Sequence, residues 1–488
     1  MKSHTISQKS ILSLIFLFTT VPYLLYAQWS ARTLLSPNAI SASLNENMAT
    51  CLAVGGDTVH VVWSDQRPAG TAIYYKRSFD LGTTWNVDTP ITDTTGSATF
   101  PAISVSGSTV HVVWMDTSLG HRASFYKRSL DGGNTWGQTF CLDSITAFWP
   151  GLSSSGTMVV VSLNKQVAVG NTEVFFRRSM DNGVTWDAEQ RISNAIGRSE
   201  DPAISALGTD IHLVWNDERT GIMQIYYRHS KDAGVTWGPE TQLTNATGSD
   251  ACYSTMVSLD GPNTDVPYGY SKNGNFDVWL TQSADTGATW VANNRLTFPP
   301  VTEAYPYLAR NGLNLHLVYP QIVSGGGSVW YLHSADGGAN WDSTLMLGAG
   351  GQPFIAITGC VLHVIWTDSG SVYYKNNPTG NCGIGAGVSS LNVEAGCEAK
   401  LFPNPGDGHF TLSYCLPVQQ KEYAEGISLR IMDVIGRVVY STFISATNNK
   451  GKSSVVPIDA ANLSNGIYYW QLTTESGSLS NGQMAVMK

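Results

Sequence analysis

One eight-residue turn, Ser-x-Asp-x-Gly-x-Thr-Trp, recurs six times and constrains the fold of this chain more than any other feature. Its copies begin at Ser78, Ser129, Ser179, Ser230, Ser283 and Ser334, and the last copy has Asn340 in place of threonine. The closing tryptophans recur every 50 to 53 residues, at Trp85, Trp136, Trp186, Trp237, Trp290 and Trp341. A repeat of this length is typical of a propeller or a solenoid.

Other segments of each repeat have the composition of β-strands. Residues 59–63, 110–114, 211–215, 315–319 and 362–366 are rich in β-branched and aromatic side chains and are apolar at nearly every position. Unbroken apolar strands suit a sheet that is covered on both faces. Segments before each turn, such as 74–77, after it, such as 86–92, and at the start of the repeat, such as 100–105, complete four strands. The sequence therefore predicts an all-β fold, a β-propeller of four-stranded blades.

The ends of the repeat region determine the predicted number of blades. Residues 352–376 supply three strands without a fourth, and residues 29–35 match the stretch that follows the other turns, with Trp29 in the place of the turn tryptophan. We therefore expect seven blades, closed by the N-terminal strand, which leaves no open sheet edge. A six-bladed ring with a spare hairpin is the alternative.

The turn has a structural explanation that requires no substrate. Serine and aspartate side chains bond backbone groups within a tight turn, glycine supplies positive φ, and tryptophan buries a large ring. We therefore interpret the aspartates of the six turns as structural: Asp80, Asp131, Asp181, Asp232, Asp285 and Asp336.

These turns resemble the Asp boxes, or BNR repeats, of sialidase-like propellers. The resemblance covers residues 28–378 and implies that the Asp boxes lie on the face away from any catalytic pocket. A sialidase of this family would need three arginines around the substrate carboxylate, a tyrosine nucleophile with a glutamate partner, and an aspartate acid/base. The family's aromatic-Arg-Ile-Pro motif is replaced here by Ala31-Arg32-Thr33-Leu34, which weakens the catalytic interpretation, as do seven blades in place of the family's six.

Candidate catalytic residues follow only from their positions. We define the loop face as the end of the propeller opposite the Asp boxes, with the loops between second and third strands and the segments that lead into the first strands. Its candidates are Arg67, Arg122, Arg198, Glu200, Arg219, Tyr253, Glu303 and Tyr305. Tyr253 would be the nucleophile, with Glu200 as its partner. The preferred interpretation is that all are ordinary polar loop residues.

Two further repeated features lie on the second strand. Trp-x-Asp ends it at Asp65, Asp116, Asp217 and Asp368, where the carboxylates would either bind sugar hydroxyls or cap loop amides. Histidines occupy one equivalent position at His60, His111, His212, His316 and His363. Since these five histidines lie one to a blade, they cannot converge on a single ion, and we predict neither a metal nor a cofactor.

The two ends of the chain indicate export. Residues 1–27 have the charged start, apolar stretch and terminal alanine of a secretory signal peptide, and no other segment is long and apolar enough to cross a membrane. Residues 379–398 are predicted as a linker, and residues 399–488 as a small Ig-like β-sandwich. The latter closely resemble the C-terminal sorting domain of the type IX secretion system. That resemblance implies recognition by the secretion machinery in the periplasm and a secreted or outer-surface location.

Composition limits the remaining possibilities. A net charge of −9 with 13% charged residues argues against a nucleic-acid partner. Seven cysteines cannot all pair within one chain; Cys382 with Cys397 and Cys51 with Cys360 are possible bridges. The sequence thus predicts an exported propeller that binds a glycan or a protein partner without catalysis, with an exo-α-sialidase-type retaining glycoside hydrolase as the alternative.

Overall fold

The structure is a computed structural model. It describes residues 29–381 apart from 45–48, 144–146, 254–255, 273, 292, 299 and 325, and residues 400–402, 409–415, 427–432, 438–444, 453–464, 466–474 and 477–486. The predicted signal peptide and nearly all of the predicted linker lie outside the described residues.

Seven antiparallel sheets form a seven-bladed β-propeller, which confirms the predicted blade number. The N-terminal strand is the outermost strand of the seventh blade, where Thr33 pairs with Tyr374 and Leu34 with Tyr373. Trp29 packs edge-on against Tyr331 of blade 6, with ring centroids 5.1 Å apart. It therefore takes the place of a turn tryptophan, as the sequence predicts.

Each blade is built from four successive positions, from the centre outwards. The first strands are Ser41–Ser43 with Leu52–Gly55, Thr99–Ser106, Ala147–Ser155, Ser199–Leu207, Ala251–Tyr253 with Ser258–Asp260, Thr302–Glu303 with Tyr307–Asn311, and Gly351–Thr358. The second strands are Thr58–Arg67, Thr109–Asp116, Met158–Ala168, Asp210–Asp217, Asn263–Lys272, Asn314–Val323 and Val361–Asp368. The third strands are Gly70–Ser78, Ala123–Ser129, Asn171–Ser179, Gln224–Ser230, Asn275–Ser283, Gly326–Ser334 and Ser371–Asn377. The outer strands are Thr89–Pro90, Phe140–Asp143, Gln190–Arg191, Thr241–Gln242, Asn294–Arg295, Leu345–Ala349 and Thr33–Leu34.

The first strands contact one another around the centre and close the ring. The second strands lie between neighbouring sheets, and Thr109–Asp116 is buried at every position. This two-sided burial is the physical reason for their unbroken apolar sequences.

The Asp-box turns are held by a repeated set of hydrogen bonds. In blade 1, Ser78 donates to Asp80 and accepts from the backbone nitrogen of Gly82, at 2.7 and 2.8 Å. Thr84 donates its backbone N–H and its hydroxyl to the two oxygens of Asp80, at 2.8 and 2.7 Å. These bonds lower the pKa of Asp80 to about 2, with the Thr84 backbone N–H as the largest cause. In the exceptional sixth turn, the Asn340 side-chain amide replaces the threonine hydroxyl and donates to Asp336 at 2.7 Å.

Each Asp box is also a contact between blades. Tyr75 of blade 1 packs edge-on against Trp136 of the next turn at 5.1 Å, and its hydroxyl donates to the carbonyl of Gly132 at 3.3 Å. A Cβ added to Gly133 would lie 2.1 Å from that hydroxyl, so glycine alone permits the approach. We call this arrangement the interblade latch. Its ring is an aromatic residue of the third strand at six interfaces: Tyr75, Tyr126, Phe176, Tyr227, Tyr331 and Tyr374.

The repeated histidines belong to these latches. The Nδ1 atom of His111 lies 2.7 Å from the Tyr126 hydroxyl, and the same pair forms in every blade that has a histidine at this position. Blade 3 has Val160 at the histidine position and Phe176 at the tyrosine position, and neither side chain has a polar group. Histidine and the tyrosine hydroxyl are therefore present together or absent together, because a buried polar group needs a partner.

The C-terminal strands form two sheets. Lys400–Phe402, His409–Cys415 and Ser453–Asp459 make one, and Val438–Ile444, Ile427–Met432, Gly466–Thr474 and Gly477–Val486 make the other. Phe410 and Leu412 of the first sheet share a buried cluster with Leu429 and Trp470 of the second. This two-sheet packing is that of a small β-sandwich.

The disulfide alternative between Cys51 and Cys360 is wrong. Cys51 is a thiol whose Sγ lies 3.2 Å from the carbonyl oxygen of Pro101. Cys360 is disulfide-bonded, so its partner is a cysteine other than Cys51. Within the described ranges, no helix is long and apolar enough to span a membrane.

The first prediction concerns the latch. Tyr126→Phe should reduce the free energy of unfolding by about 1–2 kcal/mol, because it leaves buried His111 without its partner. The double variant His111→Val/Tyr126→Phe, which copies blade 3, should recover most of that loss in urea denaturation. Equal losses for the single and double variants would contradict the pairing.

The second prediction concerns pH. Burial lowers the pKa of His111 to about 4 from 6.5, and the pKa of His212, His316 and His363 to about 3. In this pH range the histidines are protonated in the unfolded chain but stay neutral in the folded chain. The free energy of unfolding should therefore fall as pH decreases from about 6.5 towards 4. Thermal melts across this range test this, and His111→Val/Tyr126→Phe should show a shallower decline than the wild type.

Candidate functional site

The predicted site residues lie at the end of the propeller opposite the Asp boxes. In blade 1, Arg67 pairs with Gly70 at one end of the hairpin, and Val59 pairs with Ser78 at the other. Asp-box turns follow Ser78 and its equivalents, whereas the first strands begin at the Arg67 end. The loop face is therefore separated from the Asp boxes by the length of a blade.

In five blades, the start of the first strand at the loop face has a strained backbone. Five residues here have positive φ, between 47° and 53°: Phe100, Trp149, Asp201, Tyr305 and Gln352. Each precedes a proline, and the pairing register shifts across the residue and its proline in blades 2, 3, 4 and 7. A bulky residue in this region costs about 1–3 kcal/mol, and such strain is concentrated at functional sites. We call these five residues the axial ring.

The axial ring was missed in the sequence analysis, although the sequence contains a signal for it. Prolines recur at one position of the first strand, at Pro101, Pro150, Pro202, Pro306 and Pro353. The preceding side chains differ in every blade, while the turns at the other end remain nearly constant. Tyr305 is 44% exposed, and the remaining four side chains are partly exposed.

Blades 4 and 5 bring several predicted residues together. Arg198 forms ion pairs with Glu200 at 3.3 Å and with Glu218 at 2.8 Å. Burial and then the charge of Glu200 raise the pKa of Tyr253 and raise that of Asp201 to about 7. Asp201 also accepts a hydrogen bond from the Asn216 amide at 3.1 Å. Arg198, Glu200, Asp201 and Tyr253 thus share one electrostatic environment on the loop face.

Two further candidate arginines of the loop face, Arg67 and Arg219, are bound within their own blades. Arg67 contacts Asp65 at 2.7 Å, forms a second ion pair with Asp88, and lies 3.6 Å from the ring centroid of Tyr74. Arg219 contacts Asp217 at 2.6 Å, pairs with Glu240, and lies 4.2 Å from the ring centroid of Tyr226. Hydrogen bonds from Arg219 to Asp217 raise the arginine's pKa. Each guanidinium therefore already faces two carboxylates.

The aspartates of the Trp-x-Asp motif are mostly buried. Asp65 and Asp217 have no exposed surface, and Asp217 accepts hydrogen bonds from Trp215 and Ser199, both at 2.9 Å. Asp116 is 5% exposed and caps the backbone nitrogen of Ser118 at 2.7 Å.

The seventh blade also pairs its Trp-x-Asp aspartate with an arginine, because Asp368 forms an ion pair at 2.8 Å with Arg32, the residue before the closing strand. Arg32 also lies 3.7 Å from the ring centroid of Tyr373. The ion pair and the cation–π contact of Arg32 therefore hold the segment before the closing strand against blade 7.

The remaining candidates are dispersed. Arg122 is exposed and lies over Phe148, 5.2 Å from its ring centroid. Glu303 is buried and accepts a hydrogen bond from Gln321 at 3.2 Å.

Comparisons with known proteins identify the C-terminal region. Residues 400–484 match the family of secretion system C-terminal sorting domains. This type IX sorting domain indicates that the protein is exported to the cell surface or beyond. No curated protein matches the sequence.

Several solved structures are similar. A sialidase from Trypanosoma rangeli has 11% identity and a TM-score of 0.44, with 93% of this chain and 88% of that chain covered. An α-L-arabinofuranosidase from Fusarium graminearum has 16% identity and a TM-score of 0.40, with 57% and 91% covered. The β-propeller domain of the trilobed protease from Pyrococcus furiosus has 10% identity and a TM-score of 0.42, with 69% and 94% covered. Since one fold can support many activities, none of theirs transfers to this chain.

The third prediction separates structural from site arginines. Arg219→Ala should lower the free energy of unfolding by about 3 kcal/mol, because it leaves the buried carboxylate of Asp217 without its cation. Arg198→Ala, which removes an exposed partner, should cost less than about 1 kcal/mol. Urea denaturation measures both. A larger loss for Arg198→Ala would contradict this assignment.

Proposed function

We propose that this protein is an exported propeller that binds a glycan or a protein partner on its loop face without catalysis. The axial ring is the observation that carries the proposal. Its five positions hold three aromatic side chains, an amide and a carboxyl group at the start of the innermost strands, at the end of the propeller opposite the Asp boxes. Aromatic surfaces with a few polar groups are typical of ligand sites.

A glycan is the partner that this chemistry favours. The partly exposed rings of Trp149 and Tyr305 offer flat apolar surfaces to sugar rings, while Asp201 and Gln352 offer oxygen acceptors to sugar hydroxyls. Aromatic residues also dominate the energy of protein interfaces, so a protein ligand would use the same positions. The Trp-x-Asp carboxylates would support the loops around this surface.

The state of the proposed catalytic residues supports a role without catalysis. Recognition of a sialic acid carboxylate requires arginines that are not already paired, and Arg67 and Arg219 each face two carboxylates. The raised pKa of Tyr253 keeps its phenol protonated at neutral pH. An activated nucleophile needs the opposite shift or an adjacent base.

The exo-α-sialidase-type alternative retains one specific observation in its favour. Tyr253 interacts electrostatically with Glu200 and Asp201, and the pKa of Asp201, about 7, suits a general acid. In that function Tyr253 would attack the sugar, Glu200 would accept its proton, and Arg198 would contact the substrate carboxylate.

The proposed route of export uses both ends of the chain. Residues 1–27 would direct the protein across the inner membrane as a signal peptide. Residues 399–488 would then bind the type IX machinery, after which the propeller is released or held at the outer surface. Deletion of residues 399–488 should retain the propeller inside the cell.

The fourth prediction tests the proposed function on a glycan array. Trp149→Ala and Tyr305→Ala should each weaken binding about tenfold or more, because each removes an aromatic contact. Phe79→Ala is the matched control, since Phe79 is an exposed aromatic residue within the first Asp box, at the other end of the propeller. If Phe79→Ala weakened glycan binding as much as Trp149→Ala, the loop-face assignment would be contradicted.

A fluorogenic sialic acid glycoside tests the alternative. If the wild type hydrolyses this substrate, and Tyr253→Phe and Glu200→Gln abolish the turnover without changing the melting temperature, the protein is an enzyme and the proposal is overturned. An absence of turnover together with a positive array result would support it.

A further inference from the structure

Two carboxyl groups are buried where blades 5 and 6 meet near the loop face. Asp277 lies on the third strand of blade 5 and Glu303 at the start of blade 6, and each is 2% exposed. The two strands pack on one another. Within the described part of the chain, Oδ1 of Asp277 and Oε2 of Glu303 are buried and accept no hydrogen bond. Buried polar atoms without a partner are rare in folded proteins and require an explanation.

The equivalent positions of blades 3 and 4 show which hydrogen bonds Asp277 lacks. In blade 3, Glu173 accepts from the Ser193 hydroxyl and from the backbone nitrogen of Ala195, the latter at 2.9 Å. In blade 4, Gln224 accepts the same two kinds of bond, from a threonine hydroxyl at 2.8 Å and an alanine backbone nitrogen at 2.9 Å. A hydroxyl and an alanine N–H therefore satisfy this side chain in both blades.

The sequence of blade 5 removes both donors from Asp277. Its side chain is one methylene shorter than those of the other two blades. Position 299 has proline in place of the donating alanine, and proline has no N–H. The hydroxyl of Thr297, which is equivalent to that of Ser193, interacts with Glu303 instead.

Glu303 is itself an exception among the blades. It lies three residues before the proline of the first strand, where four other blades have small residues: Ala98, Ala147, Ser199 and Gly350. Its Oε1 atom accepts a hydrogen bond from the Gln321 amide at 3.2 Å. Blade 6 therefore adds a second buried carboxyl group where other blades have none.

The charges around Glu303 favour its neutral form. The titratable or charged groups that face it from the strands packed on it are Asp277, Arg295 and Tyr319. Arg295 pairs with Asp277 at 2.8 Å, and no cation of the described ranges forms an ion pair with Glu303. Burial is the largest cause and raises the pKa of Glu303, and the charge of Asp277 acts in the same direction. A charge on Glu303 would thus be buried beside a like charge.

We propose that Glu303 keeps its proton at neutral pH and donates it in a hydrogen bond to Oδ1 of Asp277, which couples blade 5 to the axial ring. One proton then gives both oxygen atoms a partner, because a protonated carboxyl group is a donor. When the proton is lost to water at higher pH, two buried carboxylates repel each other two residues before Tyr305. Ligand binding on the loop face therefore weakens as pH rises, a step that rests on the function proposed above.

The fifth prediction tests the proton by NMR of the full chain, labelled with ¹³C at the glutamate carboxyl carbon. At pH 7 the wild type should show a resonance with the shift of a protonated acid that Glu303→Gln removes. Asp277→Asn should also remove it, because Arg295 holds the amide oxygen, so the NH₂ group faces Glu303 and allows it to ionise. The matched control Glu173→Gln should retain it.

Urea denaturation provides a second measurement of the same proton. Because the pKa of Glu303 is raised in the folded chain from its usual value, 4.5, its contribution to the free energy of unfolding is complete below that pH. The contribution is lost as pH rises through the folded-state pKa. The free energy of unfolding of the wild type should therefore fall relative to that of Glu303→Gln between pH 5 and 9. Buried histidines affect both proteins equally, so the difference isolates Glu303.

Glycan affinity tests the link to the axial ring. The dissociation constant of a glycan identified on the array should rise about threefold or more from pH 5 to 9 for the wild type, and less for Glu303→Gln. Asp201 titrates in both proteins, so this comparison controls for it. An equal rise in both proteins would overturn the coupling to the axial ring.

The outcomes separate this inference from the proposed function. If the wild type lacks the protonated resonance, or Asp277→Asn retains it, the shared proton is overturned, as expected for two carboxylates bridged by water. If the resonance behaves as predicted but no glycan or protein partner binds, the proposed function fails and the shared proton stands.

Discussion

The closed ring depends on the contacts between the third strand of one blade and the turn or tryptophan that follows in the next blade. At six of the seven interfaces an aromatic ring packs on that tryptophan, and hydroxyl, guanidinium or amide groups donate to the carbonyl of a positive-φ residue of the Asp box. The turn can present that carbonyl only because aspartate and serine hold its backbone in shape. The Asp box is therefore a device for joining blades, and its constancy around the ring has a mechanical cause.

Departures from the pattern show how such a contact can change without being lost. Blade 3 replaces the His–Tyr pair with Val160 and Phe176, which removes donor and acceptor together. Blade 5 replaces it with Asp265, Gln282 and Arg310, which keep the hydrogen bonds and give up the ring.

The rigid Asp-box end leaves the opposite end free to vary. The five axial-ring positions share one backbone geometry but carry five different side chains, whereas the six Asp boxes differ in only one of their defining residues. A positive φ costs free energy at a bulky residue such as Trp149. The closed propeller supplies the packing constraint that maintains this backbone conformation. Different side chains on one shared backbone geometry are what a specific binding surface requires.

The sequence by itself determined the propeller, its seven blades, the N-terminal closure and the sorting domain, because each depends on a repeat or a motif that is local in the chain. It also identified Tyr253, Glu200 and Arg198 as loop-face candidates, but could not establish that they share an environment. Only the tertiary structure decided that Arg67 and Arg219 are paired, that Asp65 and Asp217 are buried, and that Gln282 replaces the aromatic ring between blades 5 and 6. Ion pairing and burial depend on residues of neighbouring strands and blades, and the sequence pattern of one repeat does not specify the distances between those residues.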